Sequence, residues 1–317
     1  MSDVRDERLV LRVERIERLT PAVRAIRLVD PRGHALPSFT PGSHVVVECG
    51  GRRNAYSLTG PTDAPDHYAI SVRLDVEGAG GSRWLHERLG DGDQLVVSPP
   101  RSAFAPARSA RKHLFVAGGI GITPILSHVR AARRWGDPFT LLYAHRRDAA
   151  THVPELERLC GDRLSRFRRG ADLGERLTQE LTAQPLGTHL YVCGPGAMSE
   201  TVLAAARAAG WPEGRLHSER FSADELSPGR PFTAVLARSG TRLRVPSGVT
   251  LLEALEAVGA PVSSLCRQGV CGECRVGVRA GRPEHRDLYL SGPERLAGDS
   301  VMCCVSRAED DELELDL

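Results

Sequence analysis

A group of cysteines near the end of the chain places the strongest limit on what this sequence can fold into. Cys266, Cys271 and Cys274 form a C-x4-C-x2-C pattern, and Cys303 and Cys304 follow further along. This spacing is typical of loops whose thiolates bind a plant-type [2Fe-2S] cluster. Zinc also binds thiolates, but zinc ribbons normally present two separated C-x2-C pairs. The pattern therefore predicts a domain that holds two irons and carries single electrons.

The spacing leaves the fourth thiolate open. Cys303 and Cys304 are adjacent, and neighbouring side chains on a strand point to opposite faces, so only one of them can reach the cluster. Within the loop, Gly269 and Gly272 can adopt the positive φ angles that turn backbone amides toward the sulfurs. The remaining cysteines are scattered, which favours metal binding over disulfides in a reducing compartment.

The size and composition predict a multidomain protein of the soluble globular class. With 317 residues, the chain is long enough for two or three domains. No apolar run approaches the roughly 18 residues of a membrane span, and the charged N-terminal segment lacks the apolar core of a secretory signal. We therefore expect a cytoplasmic protein that does not associate with a membrane. The net charge of +2 gives no argument for nucleic-acid binding.

Residues 8–100 consist of short β-branched runs separated by glycine and proline, which predicts a small antiparallel β-barrel with one helix at residues 82–90. One predicted strand is a candidate flavin site and comprises Arg53, Asn54, Ala55, Tyr56, Ser57 and Leu58. Tyr56 offers a flat ring for the isoalloxazine, Ser57 a hydroxyl donor for its N5 atom, and Arg53 a cation for phosphate. Ordinary strand packing is the alternative.

A second part of the flavin site is predicted where the strand ending at Val72 and Arg73 is followed by Gly80 and Gly81. Glycines let the backbone approach a phosphate closely, and a helix N-terminus attracts anions. Ser82 is predicted to be the N-cap of the helix that follows. The segment is thus expected to form a phosphate-binding turn.

From residue 112 onward, apolar strands alternate with amphipathic helices, which predicts a parallel α/β sheet. Two turns in this region follow a strand and open a helix, an arrangement that binds a dinucleotide pyrophosphate at the carboxyl edge of such a sheet. The first turn contains Gly119, Gly121, Thr123 and Pro124, and the second contains Cys193, Gly194, Pro195 and Met198. Purely structural turns are the alternative, and Pro124 departs from the third glycine of the usual fingerprint.

The residues after the second strand of this sheet give conflicting signals about the nucleotide. Asp148 could accept a hydrogen bond from a ribose 2′-hydroxyl, which favours NADH, whereas Arg146 and Arg147 could bind the 2′-phosphate of NADPH. Solvated surface charges are the alternative interpretation.

These segments together resemble the phthalate dioxygenase reductase family over essentially the whole chain. The last 87 residues look like a plant-type ferredoxin, and the segment MCCVSRA resembles the family's closing ligand segment, which implies Cys304 as the fourth ligand and Cys303 as a bystander. The resemblance implies a flavin-binding antiparallel β-barrel at 1–107, a parallel α/β NAD-binding domain at 108–225 and an α+β, β-grasp-like ferredoxin domain at 226–317. A polar linker is expected near 222–231.

The resemblance also implies cofactors and residue roles. It favours FMN over FAD, because the sequence offers no clear adenine-binding segment, and NADH over NADPH. Cys193 would lie beside the nicotinamide ring and Phe221 near the flavin. The candidates for direct roles in hydride transfer are Ser57, Thr123, Cys193 and Phe221. The family's flavin motif is usually Arg-x-Tyr-Ser, whereas here Asn54 stands in the arginine position and Arg53 comes one residue earlier.

The implied activity is that of the reductase component of a multicomponent oxygenase. A nicotinamide gives up two electrons as a hydride, a [2Fe-2S] cluster accepts one at a time, and a flavin converts between the two. The implied acceptor is a terminal oxygenase, most often of the Rieske type acting on aromatic or quaternary-ammonium substrates. The alternatives are a haem-thiolate monooxygenase, a separate ferredoxin, or a role as a non-enzymatic redox sensor. The acidic residues 310–312 are a candidate docking segment, and we expect a monomer.

Overall fold

The computed structural model describes residues 8–78, 80–102, 104–146, 149–168, 170–221, 228–267, 269–287 and 289–317, without the side chains of residues 170 and 171. Contacts divide the chain into two compact units, Met1–Arg220 and Phe221–Leu317. The predicted boundary after residue 107 falls inside the first unit. The boundary after residue 225 and most of the expected linker lie outside the described residues. The three-domain division therefore stays a prediction.

The strands of the first unit are β1 (Leu9–Thr20), β2 (Val23–Val29), β3 (His44–Cys49), β4 (Arg52–Ser57), β5 (Tyr68–Arg73), β6 (Gln94–Val97), β7 (Lys112–Gly118), β8 (Phe139–Ala144), β9 (Leu164–Phe167), β10 (Thr188–Cys193) and β11 (Leu216–Glu219). Its helices are α1 (Gly81–Glu87), α2 (Ile122–Trp135), α3 (Val153–Cys160), α4 (Gly170–Thr182) and α5 (Gly196–Ala208).

The elements of the second unit are β12 (Phe232–Leu236), β13 (Thr241–Val245), α6 (Leu251–Ala257), β14 (Arg275–Ala280), β15 (Pro283–Glu284), α7 (Gly292–Ala297), β16 (Ser300–Met302), β17 (Arg307–Ala308) and β18 (Glu312–Leu315). No helix within the described ranges is long and apolar enough to cross a membrane.

The first sheet is antiparallel and has the strand order β4-β3-β6-β1-β2-β5. A bridge between Leu58, which follows β4, and Ile70 of β5 joins the two outer strands and closes the sheet. Alternate residues fill the interior, as Leu11 and Val13 of β1 do, because successive side chains of a strand point to opposite faces. The predicted antiparallel β-barrel is confirmed.

The second sheet is parallel and has the strand order β11-β10-β7-β8-β9. The chain enters at the central strand β7, continues to β8 and β9, and returns on the other side of β7 as β10. The strand order therefore reverses between β7 and β10, and ligands of open α/β sheets bind at the carboxyl ends of the strands at such a reversal. The predicted parallel α/β sheet is confirmed, although the sequence patterns did not indicate β9, α4 or β11.

Helix α2 connects the two sheets of the first unit. Ser127 Oγ accepts a hydrogen bond from Gly42 N at 2.9 Å, and Arg130 Nε donates to Thr59 O at 2.9 Å. Thr59 comes two residues after β4, which carries the predicted flavin residues, and α2 begins directly after the first glycine turn. One helix therefore links the backbones of both predicted cofactor sites.

The second unit is built on a mixed sheet with the strand order β13-β12-β18-β14-β16. Strands β12 and β18 are parallel, and the other pairs are antiparallel. Helix α6 begins with a capping box between Thr250 and Glu253 and buries Leu251, Leu252 and Leu255 in the core of the unit. This sheet with one packed helix confirms the predicted ferredoxin-like α+β fold.

Candidate functional site

The two predicted nucleotide-binding turns meet where the strand order reverses between β7 and β10. A Cβ atom on Gly121 would lie 2.5 Å from the carbonyl carbon of Cys193 and 2.8 Å from Gly194 N, and one on Gly118 would lie 2.8 Å from Pro195 Cδ. Such an approach requires glycine, since any side chain would push the turns apart. The structure thus brings two turns that are distant in sequence into one crevice.

Gly119 is the open point of this crevice. Its φ angle is +54°, and no heavy atom lies within 4 Å of the position that a Cβ would take. Thr123 and Pro124 are buried in the first turn of α2, where Thr123 Oγ1 donates to Ile120 O at 3.0 Å. Proline is tolerated there because first-turn amides have no partner within the helix. The Met198 side chain closes the crevice from the second turn. The accessible backbone at Gly119, with packed side chains on either side, fits a bound pyrophosphate.

A carboxyl group and a thiol lie side by side at the carboxyl edge of the sheet. Cys193 and Glu219 are partners in the parallel pairing of β10 with β11. Glu219 Oε2 is buried and has no hydrogen-bond partner among the described residues, and burial raises the pKa of Glu219 to about 8. Burial, and then the charge of Glu219, raise the pKa of Cys193 well above its usual range. The thiol is therefore a neutral group at physiological pH. Sequence patterns did not point to Glu219.

The other predicted nucleotide residues are not brought into this crevice by any described contact. Arg146 is exposed beyond the end of β8, and Arg147 and Asp148 lie outside the described residues. Phe221 is 39% exposed and is the first residue of the second unit. The choice between NADH and NADPH and the role of Phe221 therefore stay predictions.

The predicted flavin residue Tyr56 lies on β4 and packs against the barrel core. Its Oη is buried and has no hydrogen-bond partner within the described part of the chain. Burial and the neighbouring Cys49 raise the pKa of Tyr56, and the nearby Asn54 amide opposes this with a smaller effect. The buried phenol and the Asn54 amide beside it offer polar atoms that a bound group can satisfy. This feature fits a flavin.

The turn before α1 lies against the same strand. A Cβ atom on Gly81 would lie 2.9 Å from Asn54 Oδ1, while the corresponding space at Gly80 is empty to 4 Å. The prediction that Ser82 caps α1 is wrong, because Gly80 takes the left-handed conformation, with φ of +99°, and the helix already begins at Gly81. Ser82 Oγ instead accepts a hydrogen bond from Asp75 N at 3.1 Å.

The remaining flavin candidates lie around this turn and strand. Arg53 Nε is 3.3 Å from Glu48 Oε1, so the guanidinium already has a carboxylate partner. Ser57 and Leu58 are buried, Ala55 pairs with Val46 on β3, Arg73 is exposed, and Val72 O lies 2.9 Å from His86 Nε2 of α1. Strand alternation directs Tyr56 and Ser57 to opposite faces of β4, so the two side chains do not share one face of the strand and their roles stay predictions.

The four predicted cluster cysteines are buried, and their thiols interact most strongly in two pairs, Cys266 with Cys271 and Cys274 with Cys304. The Cys304 thiol lowers the pKa of Cys274, whereas the partner thiol and then burial raise the pKa values of Cys271 and Cys304. No three metal-binding side chains of the described residues form a compact single-ion site. A zinc ion would gather four thiolates around one point, but two irons take two thiolates each. The pairs fit a [2Fe-2S] cluster.

Cys303 and Cys304 have different surroundings. Cys304 interacts with the thiols of both Cys274 and Cys266 and with the backbone amide of Gly269. Cys303 is completely buried, its thiol interacts with that of Cys274, and its carbonyl accepts a hydrogen bond from Leu252 N at 2.8 Å. These contacts support Cys304 as the fourth ligand. Gly269 and Gly272 have φ angles of +72° and +79°, as the cysteine loop predicts.

Two segments of the chain match known protein families. Residues 94–216 match the family of N-terminal domains of DmmA-like dimethylamine monooxygenase subunits, and residues 235–309 match the family of 2Fe-2S iron-sulfur cluster binding domains. The beta subunit of a haem-dependent oxidative N-demethylase from Ectopseudomonas mendocina is 43% identical over 98% of this chain and 99% of its own length.

Two solved structures share the architecture over 98% of this chain. One is an intact type IV self-sufficient cytochrome P450 monooxygenase, with a TM-score of 0.82 and 35% identity, of which this chain spans 41%. The other is phthalate dioxygenase reductase, described as a modular structure for electron transfer from pyridine nucleotides to [2Fe-2S], with a TM-score of 0.74, 33% identity and 98% coverage of its length. This chain therefore belongs to the phthalate dioxygenase reductase family and is a reductase of the kind that serves oxygenase systems, with a 2Fe-2S domain.

Proposed function

We propose that this reductase oxidises NADH with FMN and passes electrons through a cluster held by Cys266, Cys271, Cys274 and Cys304 to an oxygenase of N-methylated amines. The observation that carries the proposal is the arrangement of these thiols in two pairs, because such an arrangement divides four ligands between two irons. When bound, the flavin accepts a hydride and releases electrons singly, and the cluster carries them onward.

The crevice between β7 and β10 binds the nucleotide in this proposal. The open backbone at Gly119 approaches the pyrophosphate, and the first amides of α2 supply donors and a partial positive charge. Cys193 presents a neutral thiol to the nicotinamide. Glu219 is protonated below pH 8 and places a negative charge beside that thiol above it. Loss of hydride makes the nicotinamide cationic, so this charge favours the oxidised ring.

The barrel binds the flavin in this proposal. The buried Tyr56 Oη and the Asn54 amide provide polar contacts on β4, and the open turn at Gly80 accommodates the phosphate. Ser57, next to Tyr56 on β4, is the proposed hydroxyl donor to the flavin N5 atom. The sequence supports FMN over FAD because no adenine-binding segment is found, and the family resemblance supports NADH.

The substrate class is supported by what similar proteins do. The matching N-terminal family consists of dimethylamine monooxygenase subunits, and the full-length relative is a subunit of an N-demethylase. Both descriptions refer to N-methyl groups. A Rieske-type iron centre in the acceptor is the expectation from the family resemblance. A haem centre is the second candidate, because the relative is haem-dependent and a similar structure is part of a cytochrome P450.

The cofactor assignments are tested on the purified holoprotein. We expect heat-released flavin to be FMN by chromatography, two irons per chain, and bleaching of the flavin and cluster bands by NADH at far lower concentration than by NADPH. A protein that contains iron and sulfide but no flavin would refute the proposed activity.

The acceptor is tested by reconstitution. An oxygenase that co-purifies with the tagged chain is supplied with NADH and with dimethylamine, trimethylamine, a quaternary methylammonium compound or an aromatic acid. We expect substrate-dependent oxygen uptake with the N-methylated compounds and none with the aromatic acid. A Soret band in the oxygenase would identify the haem class. Turnover with aromatic acids and none with amines would overturn the substrate class.

A further inference from the structure

A buried acidic residue, Asp287, lies behind the cysteine loop and has no part in the activity described above. Its side chain is completely buried. A Cβ atom on Gly269, which lies in the loop between Cys266 and Cys271, would come within 3.2 Å of Asp287 Cα. The backbone of the cluster loop therefore packs directly against this residue.

The carboxylate joins two segments of the second unit. Its Oδ2 accepts hydrogen bonds from Tyr289 N at 3.1 Å and Leu290 N at 2.8 Å. Its Oδ1 accepts from Ser306 Oγ at 3.2 Å, and Ser306 comes two residues after Cys304. Asp287 thus ties the segment behind the cluster loop to the segment that carries the fourth thiolate.

The negative charge of Asp287 is only partly compensated. Arg295 Nη2 lies 3.9 Å from Oδ2, beyond hydrogen-bond distance, and donates instead to the Asp287 carbonyl at 2.5 Å. His285 Nδ1 lies 3.7 Å from Oδ1, which is too far for a hydrogen bond, and neither ring nitrogen of His285 has a hydrogen-bond partner among the described residues. The three hydrogen bonds to this side chain come from two backbone N–H groups and one hydroxyl, which are donors that suit a carboxylate.

We infer that Asp287 is a positioning residue that orders the cluster loop and lowers the reduction potential of the cluster. A buried anion interacts strongly with nearby charge because water does not screen it. Reduction adds one negative charge to the cluster, so this anion disfavours the reduced state. The charge and hydrogen bonds around an iron-sulfur cluster are known determinants of its potential. The inference rests on the proposed assignment of the four cysteines to a [2Fe-2S] cluster.

The test is an anaerobic redox titration of the full-length holoprotein, followed by the cluster's electron paramagnetic resonance signal. In Asp287→Asn the amide keeps the shape of the side chain but removes the charge. We expect two irons per chain, and a ratio of reduced to oxidised cluster that rises by about threefold to tenfold at a given potential, where tenfold corresponds to about 59 mV. Asp316→Asn is the matched control, because it removes the same charge from an exposed carboxylate that pairs with Arg279 and Arg238.

An Asp287→Asn protein with a full cluster and the wild-type potential would overturn the inference, as would an equal shift in the Asp316→Asn control. If Asp287→Asn cannot be isolated with its cluster, Arg295→Gln decides, since removal of the cation that faces Asp287 should lower the potential, and an unchanged potential would refute the idea. A wild-type protein without a [2Fe-2S] signal would instead refute the proposed function, so the two failures are distinguishable.

Discussion

The contact between the two glycine turns yields the sharpest test of the nucleotide site. In Gly121→Ala, the new methyl group would lie 2.5 Å from the carbonyl carbon of Cys193 and 2.8 Å from Gly194 N. Ordinary contacts begin near 3.4 Å, so the two turns would have to separate by about 1 Å. The opposing atoms belong to the backbone, so no side-chain rotation can relieve the overlap.

The expected cost follows from this geometry. Overpacking of a filled site typically lowers the free energy of unfolding by roughly 1–3 kcal/mol. A misplacement of about 1 Å between a bound substrate and the group that reacts with it can slow a reaction by roughly 100-fold. We therefore expect Gly121→Ala to lose both stability in the first unit and most of its rate of reduction by NADH, while it keeps its flavin and cluster absorption.

The assay combines urea unfolding, followed by flavin fluorescence, with stopped-flow reduction of the holoprotein by NADH. Gly174→Ala on α4 is the matched control, because no heavy atom lies within 4 Å of the new methyl group. A helical glycine replaced by alanine should gain about 0.5–1 kcal/mol of stability. If Gly121→Ala unfolds like the wild type and is reduced at the same rate, the two turns do not form the nucleotide crevice.

Three further predictions concern the cluster and pH. Cys304→Ser should lose the cluster spectrum yet retain reduction of the flavin by NADH. Cys303→Ser should keep the cluster spectrum and the flavin reduction. If iron analysis shows that Cys303→Ser loses the cluster and Cys304→Ser keeps it, Cys303 is the fourth ligand. Because the pKa of Glu219 is about 8, the rate of NADH oxidation should rise as pH increases through 8, and stopped-flow measurements on Glu219→Gln should show a profile without this step. Burial lowers the pKa of His128 to about 3 and that of His217 to about 4, below the unfolded value of 6.5. Their neutral forms therefore contribute stability that is present above pH 6.5 and is lost as pH falls toward 4, which would appear as a falling urea midpoint; a constant midpoint would contradict this.

The sequence could predict those features that depend on local pattern. The alternation of β4 and its neighbours indicated a barrel, and glycine turns between strand and helix indicated a nucleotide site. The closeness of Gly121 to Cys193 was also accessible, because parallel strands bring their carboxyl ends to one edge of a sheet. In each case the signal lies within about ten residues or follows from a general rule of topology.

Features that depend on long-range pairing could not be predicted. Glu219 becomes the neighbour of Cys193 only through the register of β11 with β10, and no local pattern specifies that register. Asp287 lies against Gly269 because a segment after β15 returns to the cysteine loop. The error at Ser82 has a local cause, because a serine near the start of a helix suggests a cap, but the N-cap is the left-handed Gly80, two residues earlier.

The division of the molecule into two units corresponds to two kinds of electron movement. Hydride transfer requires two rings in contact, and such reactions depend on small displacements. Both predicted sites for those rings belong to the first unit, where Arg130 of α2 binds Thr59 O beside the flavin strand and Ser127 binds Gly42 N. Single-electron transfer breaks no bond between heavy atoms and does not demand this contact. The cysteines proposed to hold the [2Fe-2S] cluster lie in a unit with its own sheet and its own core. The rigid connection through α2 is thus found where the chemistry requires fixed geometry.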